Sequence, residues 1–514
     1  MAFIHPPNIS IRTGGGPGRL AAVPEGSTDG AKADHPPVVG LYRDQIQAVS
    51  VSGVWRRSTI FGHGGSSHSS ASNSCPSTNS AYSSGSASAV ALDRFGNQEL
   101  TRIARQMISH GYIRRMVQAF EDASFAQAFG SPVHALENWF SELDVDWVLQ
   151  IHDEQGFRRL LRDKPAMTQE LVKKWIRALI VIAASITESV FPFPTTAADA
   201  RFVKASITEM LDVVDVIITA LEAEKKLQVV LDMFTGVCGA SHILTPVDIS
   251  SSEGQSIFNV IGSMLERQAN RLSEMIASTM EEVRTLVEED DDSWAMEISR
   301  GGGEIHNITQ FIMNCIVSMM NAHTSTQNTA PSHHTENLGG LINGTINYLK
   351  GLLFTKSESC SDQSLRYLFL LNNTYFVAHV VSESSGSSIP QMRHLTLKLK
   401  IERKNYMNSY LDVSWGHVLS CIPKSRFPGP IHCWINTSSL AKFESSFHKT
   451  YQTQKLWKVP DPQLRDELRT VITQRVVSGY RSYLEEHPEL EKHVGRESSS
   501  PEVLQEMLGE LFEG

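Results

Sequence analysis

From about Leu92 onward, apolar residues recur at three- and four-residue steps, the spacing of one helix face. Val203, Ile207, Met210, Leu211, Val214, Ile217, Ile218 and Leu221 predict a helix of about five turns. Leu171, Trp175, Leu179, Ile182, Ile186 and Val190 predict another. Ile257, Ile261, Met264, Leu265, Leu272, Met275, Ile276, Val283 and Leu286 predict one near thirty residues, longer than the globular average. Asp461 before Pro462 and Ser500 before Pro501 are side-chain caps followed by an N1 proline. They open the faces Leu464, Leu468, Val471, Ile472, Val476 and Leu504, Leu508, Leu511. Pro, Gly and Ser clusters at 192–196, 239–254, 324–336, 382–390 and 423–430 mark the breaks. The expected fold class is all-α, an elongated rod of stacked helical bundles over residues 92–514. No 34- or 40-residue repeat is present, which disfavours a regular solenoid.

One run departs from this period. His394-Leu395-Thr396-Leu397-Lys398-Leu399-Lys400-Ile401 alternates strictly, as a strand does. No second alternating run lies nearby to pair with it, and a helix is the reading retained. Residues 1–91 have a different texture, with Gly14-Gly15-Gly16-Pro17-Gly18 early and 12 serines in the 23 residues from Ser66 to Ser88. So little apolar surface cannot offset the entropy of ordering, and the segment is expected to be disordered apart from a short piece around Val51 to Trp55.

Composition narrows the function classes. The 514-residue chain has a formal net charge of −10, which argues against a nucleic-acid-binding coat. The six cysteines show no CxxC spacing, so neither a zinc knuckle nor a disulfide framework is indicated. The start, with Pro6 and Pro7, is not a signal peptide, and the longest apolar run, Ala178 to Ile186, is too short to span a bilayer. Any membrane association is expected to be peripheral.

Catalytic signatures fail. Gly301-Gly302-Gly303 lacks the lysine and Ser/Thr that a phosphate loop requires, and no HExxH or GxSxG occurs. His333 and His334 read as part of a solvated polar loop. No enzyme activity, cofactor, metal site or small-molecule substrate is expected. Charge is more informative. Between Gln391 and Arg426 seven bases (Arg393, Lys398, Lys400, Arg403, Lys404, Lys424, Arg426) face two acids (Glu402, Asp412). Such a patch suits an anionic lipid surface, and an ordinary solvated face is the competing reading. From Glu485 to the end, nine acids outnumber two bases, Lys492 and Arg496.

Four stretches together resemble a known family. They are Leu100 to Met107 with Gly111-Tyr112; Gly302-Gly303-Glu304-Ile305-His306-Asn307-Ile308-Thr309 continuing to Asn314; Leu365 to Asn373; and Trp457 to Arg469 with Tyr480-Arg481-Ser482-Tyr483 and Leu511 to Gly514. In this order they resemble the C-terminal region of the seventy-kilodalton subunit family of the exocyst, in its plant branch. The resemblance implies vesicle tethering at the plasma membrane, with a cytoplasmic, peripheral location. It implies binding to phosphoinositides, notably phosphatidylinositol 4,5-bisphosphate, and to other exocyst subunits and small GTPases. Arg393, Lys398, Lys400, Arg403, Lys404, Lys492 and Arg496 are the expected lipid contacts. Family members usually open with a long coiled coil, where this sequence has its Ser/Gly-rich stretch. A second reading is therefore kept, a specialised regulatory or immune-related scaffold that no longer assembles into the exocyst. His306 and Asn314 are expected on one buried helical face, and Asn372 and Asn373 as structural residues.

Overall fold

The computed structural model describes residues 40–51, 85–125, 133–151, 155, 157–159, 165–189, 196–244, 252–289, 294–384, 390–422, 432–488, 490 and 500–513. The helices are α1 (Arg43–Ala48), α2 (Gly85–Ser109), α3 (Tyr112–Phe125), α4 (Val133–Glu142), α5 (Pro165–Ser189), α6 (Ala197–Thr219), α7 (Ala223–Leu244) and α8 (Ser252–Glu289). They continue as α9 (Trp294–Arg300), α10 (Asn307–Thr326), α11 (Ser332–Ser357), α12 (Gln363–Ser384), α13 (Pro390–Ser420), α14 (His432–Gln454), α15 (Pro462–Glu486) and α16 (Pro501–Gly509). A 3₁₀ turn, Asp146–Gln150, follows α4. No strand occurs among the described residues, whose only bridge pairs Lys458 with Glu513. The fold is all-α.

Packing follows chain order. In turn, α2 lies on α5, α5 on α7, α7 on α8 and α10, α10 on α11, α12 on α13, and α13 on α15. The predicted faces are the buried ones where they are described: Val203, Ile207, Met210, Val214, Ile217 and Ile218 of α6 are all less than 4% exposed, while Val190 of the second predicted face lies outside the described residues. Thr196 and Asp199 start α6 with reciprocal side-chain-to-backbone bonds, a capping box. Asp461 accepts from the Leu464 N–H and Ser500 from the Val503 N–H, so both predicted caps are used. The third face needs one correction. On the 38-residue α8, Leu286 is 60% exposed, and the stripe closes through Met280, Val283 and Val287 instead. Cys238, Cys315 and Cys360 are buried free thiols.

Among the described residues one helix, Lys225–Leu244 within α7, is long and apolar enough to cross a membrane by length and composition, although it contains no long unbroken apolar run. Of its most apolar 18-residue stretch, 72% is buried within the protein. It packs against α5, α8 and α10, so its apolar surface is spent on a core.

Two other expectations change. Residues 1–91 do not lack order throughout, because within 40–51 the helix α1 forms over Arg43–Ala48 and Tyr42, Ile46 and Val49 are buried. Val51 belongs to that ordered piece, while 52–55 lie outside the described residues. His334 is not in a solvated loop. It sits in the first turn of α11, 1% exposed, with its ring edge-on to Phe234 at 5.7 Å.

Candidate interaction surface

The alternating run lies in α13, and the helix explains it. Leu395 and Leu399 are four apart and buried at 3% and 0%, whereas Leu397 and Ile401, also four apart, are 58% and 61% exposed. Two helical pairs offset by two residues produce an alternating pattern without any strand. The exposed pair shares its face with three bases. At 100° per residue, Arg393, Leu397, Lys400, Ile401 and Lys404 fall on one side of α13. Lys398 is exposed on one flank of it.

Arg403 lies on the other flank and is engaged within the fold. Its Nη2 donates to Glu467 Oε1 of α15 at 3.2 Å, and its guanidinium covers the Tyr375 ring of α12 at 5.4 Å. It ties α13 to its neighbours. The two acids of the patch are also engaged, Glu402 with Lys350 at 2.6 Å and Asp412 with Arg475. Lys398, Lys400 and Lys404 are left as exposed charges. Lys492 and Arg496 lie outside the described residues. Sequence reasoning assembled the bases but not Leu397 and Ile401, whose signal was the strand-like alternation within a run kept as a helix.

The acidic C-terminal region is partly balanced by neighbouring elements. Glu502 pairs with Arg481 at 3.2 Å, Glu510 with Lys455 at 3.1 Å and Glu513 with Arg469 at 3.1 Å. Arg469 Nε also donates to the Leu511 carbonyl at 3.0 Å, which holds the buried Leu511-Phe512 against α15.

A junction of α9, α10, α12 and the 457–460 turn carries most of the resembling motifs. Gly302 and Gly303 take φ of +59° and +82°. A Cβ on Gly302 would stand 3.2 Å from the Leu456 carbonyl oxygen, so glycine allows two backbones to touch there. The Lys458 N–H donates to the Gly302 carbonyl at 2.9 Å across that contact. This explains the glycine triplet structurally. His306 is the N-cap of α10, its Nδ1 accepting from the Ile308 N–H at 3.2 Å. Its Nε2 faces Glu297 Oε2 at 2.8 Å, and its ring stacks on Trp294 at 3.9 Å. Asn314 is exposed, so the expected buried His306/Asn314 face does not exist. Asn372 Nδ2 donates to the carbonyls of Gly303 (2.7 Å) and Lys458 (2.9 Å). Asn373 links α12 to the start of α10 through His306 N and Thr309 Oγ1. Both asparagines are structural.

No group of three or more His, Cys, Asp or Glu side chains able to hold a metal occurs among the described residues. The molecule is defined as a serially packed helical protein offering a basic, partly apolar helix face. A family model for the C-terminal region of the Exo70 exocyst complex subunits matches residues 171–510, from α5 through α16. The chain belongs to the Exo70 family of exocyst subunits.

Among relatives, the Arabidopsis thaliana exocyst complex component EXO70A1 is 22% identical over 441 residues, 80% of this chain and 66% of that protein. Arabidopsis EXO70C1 is 28% identical over 168 residues, 31% of this chain and 25% of that one. This chain thus spans less than two thirds of the length of these relatives. The crystal structure of the S. cerevisiae exocyst component Exo70p is similar with a TM-score of 0.40 and 12% identity, over 82% of this chain and 89% of that one.

Proposed function

We propose that this protein is a non-catalytic exocyst subunit that helps tether secretory vesicles at the plasma membrane. It acts from the cytoplasm as a peripheral protein, binding other exocyst subunits, small GTPases and anionic phosphoinositides, foremost phosphatidylinositol 4,5-bisphosphate. Family membership supports the subunit role. The observation that carries the lipid reading is the α13 face, where Arg393, Lys398, Lys400 and Lys404 surround the exposed Leu397 and Ile401. Each basic residue near an anionic leaflet contributes about 1 kcal/mol, and an apolar side chain entering the interface adds up to roughly 2 kcal/mol. A charged rim with an aliphatic centre suits a headgroup layer better than it suits open water. Lys492 and Arg496 are kept in the proposal as additional contacts.

The test is sedimentation with vesicles of phosphatidylcholine alone or with about 5% phosphatidylinositol 4,5-bisphosphate, a small anionic minority. Wild type binds the second only, and the triple reversal Lys398→Glu/Lys400→Glu/Lys404→Glu loses that binding. Undiminished binding by the triple variant refutes the site. Purification of tagged protein from its own cells tests the assembly. Co-purifying exocyst subunits support the tethering role; unrelated partners in their place support the scaffold reading.

A further inference from the structure

Residues 40–51 pack as a ligand would. Their three buried anchors, Tyr42, Ile46 and Val49, are spaced i, i+4, i+7, the pattern of an amphipathic helix laid in a groove. The six residues of α1 are far too few to be helical alone. Both ends are completed by residues about a hundred positions away. At the N-terminal end, Glu142 accepts from the backbone N–H groups of Gly40 (2.6 Å), Tyr42 and Arg43 (3.3 Å). At the other end, Arg177 Nε donates to the Val49 carbonyl at 2.8 Å. In between, Arg43 and Gln47 reach the two oxygens of Asp144 at 2.6 and 2.8 Å, and the Tyr42 hydroxyl meets His110 Nδ1.

The groove bears the marks of a recognition site. Glu142 and Asp144 are 0% and 2% exposed, a costly placement for carboxylates unless they are matched. Among the described residues, every hydrogen bond to Glu142 comes from 40–43. Asp144 has Lys174 from the groove side at 2.9 Å, and the rest from the peptide. Asp144 also adopts a left-handed backbone, φ +63°, a strained choice for a non-glycine residue. Glu142 and Asp144 precede the family-matched region, which begins at residue 171.

We infer that this groove, built from α2, α3, α4, the 3₁₀ turn and α5, is a receptor for a short helical peptide. The peptide carries a tyrosine–arginine pair followed by aliphatic anchors at the fourth and seventh positions after the tyrosine. The chain's own segment 40–51 is its resident ligand, exchangeable for the same peptide supplied in trans. Glu142 reads free backbone N–H groups at the start of the peptide helix, Asp144 reads the arginine, and His110 reads the phenol.

The test uses the full chain carrying a protease site inserted between Ser70 and Ser80, cut after folding. The expected result is that the N-terminal fragment co-elutes with the remainder, helical content is unchanged, and excess fluorescent 40–51 peptide displaces the fragment. Labelled peptide carrying Arg43→Glu binds at least severalfold more weakly, because a like charge replaces the half-exposed arginine that matches the buried Asp144 carboxylate. Glu142→Ala in the receptor weakens the unmodified peptide, while Glu137→Ala on the same helix does not. Three results overturn the inference: the cut chain loses its helical content, the fragment never exchanges, or wild-type and Arg43→Glu peptides bind alike.

Discussion

Replacing Asn373 by leucine keeps the approximate volume of the side chain and removes all of its hydrogen bonds from a site with no exposure. In the native protein Oδ1 accepts from His306 N at 3.1 Å and from Thr309 Oγ1 at 2.7 Å. Nδ2 donates to the carbonyls of Phe369 at 2.8 Å and Glu304 at 3.4 Å. The Phe369 carbonyl lies within α12, so its loss is minor. The groups left without a partner are the His306 N–H and the Thr309 hydroxyl. Each buried orphan costs about 1–3 kcal/mol, so Asn373→Leu is expected to destabilise by roughly 2–6 kcal/mol. Trp294 stacks on His306 and reports on this spot by fluorescence during urea unfolding. Thr309→Val removes one orphan, so adding it to Asn373→Leu should cost less than Thr309→Val costs in wild type. The coupling is expected at about 1 kcal/mol or more. A destabilisation below about 1 kcal/mol, or strict additivity, would refute the reasoning.

The remaining expectations are briefer. Burial lowers the pKa of His323 and of His334, the latter helped by the neighbouring His333 charge. Both then bind protons more readily when unfolded, so stability is full above the ordinary histidine value near 6.5 and falls as pH drops below it. Urea midpoints measured from pH 7.5 to 5.5 should decline, and His334→Met should flatten the decline; an unchanged slope contradicts the assignment. For Asp144, burial raises the pKa, but hydrogen bonds from Lys174, Arg43 and Gln47 outweigh it and leave the carboxyl below its usual range. Docking of 40–51 should therefore persist above about pH 4 and weaken only as pH falls through the lowered value, as hydrogen exchange of the Tyr42 and Arg43 amides would show. Gly303→Ala places a Cβ at φ +82° and 3.2 Å from Leu365 Cδ1, and is expected to cost about 1–3 kcal/mol in thermal unfolding. Arg403→Ala should lower stability by about 1–2 kcal/mol, from its ion pair and its ring contact, while leaving vesicle binding intact.

Helix positions and caps were legible in the sequence because they depend on local rules. A three-to-four-residue apolar period and an Asp-Pro or Ser-Pro start act within a few residues, and the α6 face and the Asp461 and Ser500 caps appear where those rules put them. The structural role of Asn372 and Asn373 was legible through the resemblance alone. What only the tertiary structure decided involves residues far apart in the chain. Arg403 is committed to Glu467 and Tyr375, positions 64 and 28 residues away, and no count of local charge separates it from Lys400. Leu397 and Ile401 face outward because α12 and α15 take the other side of α13, a choice that alternation in one dimension cannot encode. The order of residues 40–51 depends on Glu142, Asp144 and Arg177. A segment too short to fold by itself becomes structured when a groove built a hundred residues later supplies the partners for its backbone.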